Sequence, residues 1–146
     1  MSEPYLALQV VMMPRDANPL PTVVPGTSQS LLYMTIFGGV ILSYIDQAGA
    51  IGARREVVQA GGQPPVLVTV ALNRVEFHQP VLVGDVVRFL VRLVRMGRTS
   101  ITVHVNVEVD RNKEVLQVTE AEVVYVGIDP TSPTRKPKLL LPEPTA

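Results

Sequence analysis

The chain has 146 residues, with 13 basic and 13 acidic side chains and no cysteine, which fits one domain without disulfides, thiol nucleophile or cysteine-ligated zinc. The balanced charge leaves no broad basic surface for nucleic acid, and two histidines are few for a metal cage. Since no leader pattern opens the sequence and no run of about 18 apolar residues occurs, we expect a cytoplasmic protein that binds no membrane, nucleic acid or metal.

The first half of the chain predicts a strand, a long loop and a helix. A short apolar run predicts a strand over residues 5–13, and three prolines with a glycine predict a loop over residues 19–30. Apolar residues then recur at spacings of three and four over residues 37–53, which predicts a helix. Because a second face of this helix is apolar too, we expect it to be buried.

The second half predicts four strands, at residues 66–72, 85–95, 100–110 and 115–127. Tight turns join the last three strands. Five prolines follow Asp129, cannot pair in a sheet, and predict an extended or mobile segment. We therefore divide the chain into one domain, residues 1–129, and a Pro-rich C-terminal tail, residues 130–146.

This order of elements favours an α+β fold in which a curved antiparallel sheet wraps around one buried helix. A single sheet of this size leaves an edge strand unpaired, and the valine-rich surfaces exceed what one helix covers. We therefore expect a homodimer at least.

One acid is out of place in this pattern. Asp46 lies in the segment 36–53, which is mostly apolar and has no other charge. A buried carboxylate acquires partners or takes up a proton, because an isolated charge in apolar surroundings is costly. Asp46 is therefore either a functional acid or a structural one, paired with a buried donor or with an arginine across an interface.

Four motifs carry a resemblance to a known family: MPRDAN, IFGGVILSYIDQAGAIGA, FHQPVLVGDVV and GRTSITVHVNV. In this order they resemble the acyl-CoA hydrolase branch of the hotdog-fold thioesterases, and the match runs from Val10 to Asp129. The resemblance implies a hotdog fold, with a curved antiparallel sheet around a central helix. It also implies hydrolysis of acyl-CoA to free acid and CoA without metal or cofactor, by a homodimer that assembles into a tetramer or, preferably, a hexamer.

The resemblance assigns two catalytic residues. Asp46 matches the family's helix carboxylate, which acts as a general base on water or as a nucleophile through an anhydride, and the sequence leaves both routes open. Asn18 matches the asparagine of the D-A-N motif, which lies across the dimer interface from the partner's aspartate and helps to orient the reacting groups.

The resemblance also assigns substrate-binding residues. Gly38 and Gly39 match the glycines at the start of the helix, where backbone N–H groups and the helix dipole polarise the thioester carbonyl. The family has a turn associated with the CoA nucleotide, in which the arginine meets phosphate and the hydroxyl residues donate hydrogen bonds. The residues that match this turn are Gly97, Arg98, Thr99 and Ser100.

The sequence departs from the family at one place. A long segment, residues 19–35, separates D-A-N from the F-G-G that opens the helix. This segment either loops outward, which lets Asn18 reach the site, or caps an acyl tunnel with Leu31, Leu32, Tyr33 and Met34.

Two other chemistries fit the sequence less well. Neither Ser43 nor Ser100 lies in a G-x-S-x-G setting, which disfavours a serine hydrolase. The helix region has no histidine, which disfavours a hotdog dehydratase. The remaining alternative is a non-catalytic acyl-CoA binding or regulatory module with the same fold.

Overall fold

The computed structural model describes residues 3–19, 22–23, 32–33 and 35–143. Its elements are the strands β1 (Tyr5–Val11), β2 (Thr22–Val23) and β3 (Leu32–Tyr33), the helix α1 (Gly38–Gln59), and the strands β4 (Leu67–Phe77), β5 (Val86–Met96), β6 (Ser100–Arg111) and β7 (Glu114–Gly127). The predicted helix and the five predicted strands are all present. The largest differences are at α1, which ends six residues beyond its predicted end, and at β4, which continues five residues beyond its own.

Five strands form one antiparallel sheet in the order β1-β5-β6-β7-β4. The strands β1 and β4 are therefore its two edges, and α1 packs against the sheet, chiefly on β5 and β6. The predicted α+β architecture, one helix covered by a single antiparallel sheet, is confirmed.

The core lies between α1 and the inner face of the sheet. Alternate residues of β6 point toward the helix, so that Val103, Val105 and Val107 are fully buried. The helix packs closely, because an added Cβ on Gly52 would run into the Val91 side chain. Although α1 is rich in apolar residues, no helix in the described part of the chain has the length and apolar character required to cross a bilayer.

The segment predicted as a loop over residues 19–30 contains one strand of a small second sheet. The two-residue strand β2 lies within it and pairs antiparallel with β3, which follows it, so the prediction of a loop without regular structure is wrong at β2. The two ends of the segment 19–35 lie together, because the Asn18 backbone N–H donates to the Thr35 carbonyl at 2.8 Å and Ala17 forms a β-bridge with Ile36. The chain thus returns to the helix start next to Asn18. The four side chains proposed to cap an acyl tunnel lie outside the described residues.

The segment after Asp129 lies against the domain. Ile128 forms a β-bridge with Pro137, and the Lys138 N–H donates to the Gly127 carbonyl at 2.8 Å. Leu140 is only 4% exposed and belongs to the hydrophobic core. The division at residue 129 stays a prediction, but this part of the tail packs on the domain rather than extending away from it.

Candidate active site

Asp46 lies in the middle of α1, half-buried beneath the β4 edge of the sheet. The Thr69 hydroxyl donates to its Oδ1 at 2.7 Å. The Tyr125 hydroxyl donates to the Asp46 backbone carbonyl at 2.6 Å and lies 3.1 Å from the same Oδ1. The acid that the sequence singled out therefore has two hydroxyl partners, both of which sequence reasoning missed.

The sheet brings these two hydroxyls together. Thr69 on β4 and Tyr125 on β7 are direct cross-strand partners, and directly opposed side chains share one face of a sheet. The pairing register shifts immediately after Thr69, before Ala71. Such a bulge changes the direction of a side chain, and bulges are frequent beside active sites.

The two interpretations of Asp46 can be compared with these contacts. Tyr125 is a buried donor of the kind that a structural acid requires. Thr69, in contrast, is exposed on an edge strand, so the carboxylate is not sealed inside the core. Within the described residues neither side-chain partner is charged. The Asp46 carboxylate is therefore held by Tyr125 on its buried side and is open on the side of the edge strand β4.

A cleft of about 390 Å³ lies at the start of α1. Asn18 borders it, and its side-chain amide donates to the Thr35 hydroxyl at 2.8 Å. The remaining wall comes from the helix start, the end of β4 and the loop that follows: Thr35, Ile36, Gly38, Ile41, Phe77, His78, Gln79, Pro80 and Val81. The cleft thus brings together two residues that the sequence predicts for the site, Asn18 and Gly38.

The first turn of α1 is suited to polarise a carbonyl oxygen. Phe37 caps the helix without a side-chain hydrogen bond, and the first backbone N–H groups of a helix have no partner within it. A Cβ on Gly38 would lie 3.5 Å from the Phe77 ring, and one on Gly39 would lie 2.6 Å from the Phe37 ring. These rings are 53% and 50% exposed, so the two glycines at the helix start each lie beside an accessible apolar surface.

Asp46 and this cleft are separate within one chain. Asp46 is eight positions after Gly38 in α1, which corresponds to about 12 Å along the helix axis. That separation is too large for both to contact one reacting carbonyl, which needs groups within about 3 Å. One subunit therefore contains two parts of a candidate site that do not meet.

The predicted CoA-binding turn follows β5 and lies near the Asp46 end of the sheet. The Gly97 N–H donates to the Ser100 carbonyl at 2.7 Å, and the carbonyls of Arg98 and Thr99 accept from the N–H groups of Leu140 and Gly127. The Arg98 side chain is exposed. The next residue after the turn, Ile101, is the cross-strand partner of Tyr125.

A polar cluster borders the cleft. The His78 ring lies 2.9 Å from the Glu120 carboxylate, and His104 lies 3.5 Å from its other oxygen. The hydrogen bond from His78 and then that from His104 hold the pKa of Glu120 below its ordinary value. Among the described residues, the one group with three converging metal-ligand atoms consists of Glu76, His78 and Glu120. The bond between His78 and Glu120 accounts for the arrangement without an ion.

Comparisons with known proteins identify the fold and its relatives. Residues 33–116 match the family model described as "Thioesterase superfamily". The acyl-CoA thioester hydrolase YciA of Salmonella typhimurium is 34% identical over 135 residues, which cover 89% of this chain and 87% of that protein.

Two solved structures are also similar. The hexameric thioesterase y2039 from Yersinia pestis has a TM-score of 0.74 at 31% identity, over 98% of this chain and 99% of that one. Cj0915, a hexameric hotdog fold thioesterase of Campylobacter jejuni, has a TM-score of 0.70 at 34% identity, over 92% and 88%. These likenesses confirm the hotdog fold and the resemblance to acyl-CoA hydrolases.

Proposed function

The chain belongs to the thioesterase superfamily, and from this premise we propose that it hydrolyses acyl-CoA thioesters to a free carboxylic acid and CoA. The observation that carries the proposal is the open carboxylate of Asp46, held by hydroxyl groups at the edge of the sheet. CoA enters as part of the substrate, and no metal or cofactor takes part.

Asp46 is the proposed reacting acid, as general base or as nucleophile. As a base it takes a proton from water, whose oxygen adds to the thioester carbon. As a nucleophile its own oxygen adds, and water then cleaves the resulting anhydride. In both routes the C–S bond breaks and the CoA thiolate takes up a proton. The carbonyl oxygen gains negative charge, which the N–H groups of Gly38 and Gly39 at the helix start stabilise.

The two parts of the site meet between subunits. The edge strand β4 carries Thr69 near one end and Phe77 at the other, about 26 Å away. A two-fold axis makes such an edge pair antiparallel with its own copy. If the axis passes near Asn73, midway between them, Thr69 and Asp46 of one subunit face the partner's Phe77. That ring borders the cleft of the partner's Asn18 and Gly38.

The Gly97–Ser100 turn is the proposed contact for the CoA nucleotide. Its backbone is fixed on both sides, by its own hydrogen bond and by the tail segment. The Arg98 side chain is exposed and available to a phosphate, for which the guanidinium group offers two parallel N–H donors.

We further propose that these dimers assemble into a hexamer. The solved relatives from Yersinia pestis and Campylobacter jejuni are hexameric thioesterases. Light scattering of the purified protein should therefore give about six times the 15.9 kDa subunit mass. A tetramer would change only the proposed number of subunits. A monomer at the concentration used in the assay would contradict a site formed between two subunits.

The activity is tested with a panel of short, medium and long acyl-CoA substrates, followed by release of free thiol. The protein has no cysteine, so a thiol reagent reports CoA without background from the enzyme. Steady turnover of at least one chain length is expected. Tight binding of acyl-CoA without release of CoA would instead support the non-catalytic binding module.

A further inference from the structure

We propose that Tyr125 is a positioning residue that fixes Asp46 through Oδ1 and thereby leaves Oδ2 as the reacting oxygen. This inference rests on the proposed function and assigns the two oxygens of its carboxylate to different tasks. Tyr125 lies on β7, on the sheet side of the core, and no sequence motif indicated a functional residue there.

The asymmetry of the carboxylate is the first observation. Both side-chain hydroxyls that contact it within the described residues, Thr69 and Tyr125, are within hydrogen-bond distance of Oδ1. Thr69 donates fully to Oδ1, whereas the single proton of the Tyr125 hydroxyl goes chiefly to the Asp46 carbonyl at 2.6 Å and only partly to Oδ1 at 3.1 Å. These contacts lower the basicity and nucleophilicity of Oδ1 relative to Oδ2. Oδ2 keeps its lone pairs for water or for the thioester carbon.

The second observation is how firmly the Tyr125 hydroxyl is held. It donates to the Asp46 backbone carbonyl at 2.6 Å and lies 3.1 Å from Oδ1 of the same residue. The phenol oxygen is therefore held against this turn of α1 by the backbone of the residue whose side chain it positions.

The third observation is that the residues around the Tyr125 hydroxyl leave space for it and keep it protonated. Tyr125 is 1% exposed, and an added Cβ on Gly49 would overlap its hydroxyl. Burial first, and then the negative charge of Asp46, raise the pKa of Tyr125 well above its ordinary value. The phenol therefore stays protonated at any pH at which the enzyme works, and it remains a hydrogen-bond donor.

A phenol in this place acts on the acid and not on the substrate. It is buried between β7 and α1, whereas in the proposed site the substrate reaches Asp46 from the side of the edge strand β4. Its removal should therefore lower kcat and leave KM unchanged, because a group that orients only the reacting acid contributes nothing to ground-state binding.

The test is the variant Tyr125→Phe, which removes one oxygen and keeps the ring. We expect kcat to fall roughly tenfold or more, with unchanged KM, unchanged affinity for a non-hydrolysable thioether analogue of acyl-CoA, and unchanged assembly. Tyr44→Phe is the matched control, since it removes a phenol oxygen from α1, the helix that carries Asp46, at a ring that packs on Phe89. That variant should keep the activity of the unmodified protein.

A double-mutant cycle separates positioning from general loss of packing. Tyr125→Phe should have less than about a twofold effect on the residual rate of Asp46→Asn, because the contact acts only through the carboxylate. Gly49→Ala, which displaces the hydroxyl without removing it, should reproduce the fall in kcat, and it replaces Tyr125→Phe if that variant does not fold.

Three results would overturn the inference: unchanged kcat in Tyr125→Phe, a change confined to KM, or effects that multiply fully with those of Asp46→Asn. If Asp46→Asn itself keeps full activity, the proposed function of the acid fails instead. The two failures are therefore distinguishable in one set of measurements.

Discussion

The first turn of α1 and its middle are built in opposite ways. At the first turn the polar groups are backbone N–H groups, the capping residue Phe37 offers no side-chain hydrogen bond, and the neighbouring rings are half-exposed. In the middle the polar group is the side chain of Asp46, held by two hydroxyls from neighbouring strands. One region is open and adaptable, and the other is fixed.

This difference suggests a division of labour between substrate binding and chemistry. A carbonyl can be polarised by any correctly oriented N–H groups, so the first turn needs room more than rigidity. A proton or an acyl group is transferred over a short distance, so the acid must be held within a few tenths of an ångström. Substitutions in the two regions should therefore differ in what they change.

Replacing the fixed acid should have the largest effect. Asp46→Asn keeps the size of the side chain and removes its charge, and we expect kcat to fall by a factor of about 10² to 10⁴. The measurement is steady-state CoA release, with the melting temperature as a control for folding. Retention of full turnover would contradict the role of the acid in both proposed routes.

Replacing Asn18, which borders the cleft at the first turn of α1, should have a smaller effect on kcat. We expect Asn18→Ala to lower kcat by about 10- to 100-fold, because an orienting contact is lost while the acid remains. Co-refolding this variant with Asp46→Asn is the sharper measurement. If each site combines residues of two subunits, random mixing restores about a quarter of the wild-type activity. No recovery would contradict a site that is shared between subunits.

The sequence predicts these two regions unequally well, for a physical reason. Apolar spacing predicts α1 and strict alternation predicts β6, because both are local patterns that burial imposes on a single element. Thr69 and Tyr125 lie 23 and 79 residues from Asp46, and only the strand register places them beside it. The strands β2 and β3 were missed because two residues are too few to show alternation. A single sequence does not encode such long-range pairing in any local signal.

The same substitution at two glycines compares the regions directly. Gly49→Ala places a methyl group against the buried Tyr125 hydroxyl, and we expect it to lower the free energy of unfolding by about 1–3 kcal/mol. Gly39→Ala pushes only the half-exposed Phe37 ring, which can rotate into solvent, so stability should be unchanged or slightly higher. Denaturant unfolding measures both. Equal losses of stability would show that the two regions do not differ in rigidity.

The smallest effect concerns the polar cluster beside the open cleft. In the folded protein the hydrogen bond from His78 lowers the pKa of Glu120 below its ordinary value of 4.5, so this contact stabilises the fold above that pH and the effect is lost as the pH falls through the folded-state pKa.

We therefore expect His78→Gln to lower the free energy of unfolding by less than about 1 kcal/mol near neutral pH, since both side chains are about one-third exposed. The difference between the two proteins should close as the pH falls below 4.5 and through the lowered pKa of Glu120 in the folded protein. Chemical denaturation across this pH range measures it, and His104→Gln, which removes the weaker contact to the same carboxylate, is the matched control. A difference that grows toward low pH would assign the stabilisation to a group other than Glu120.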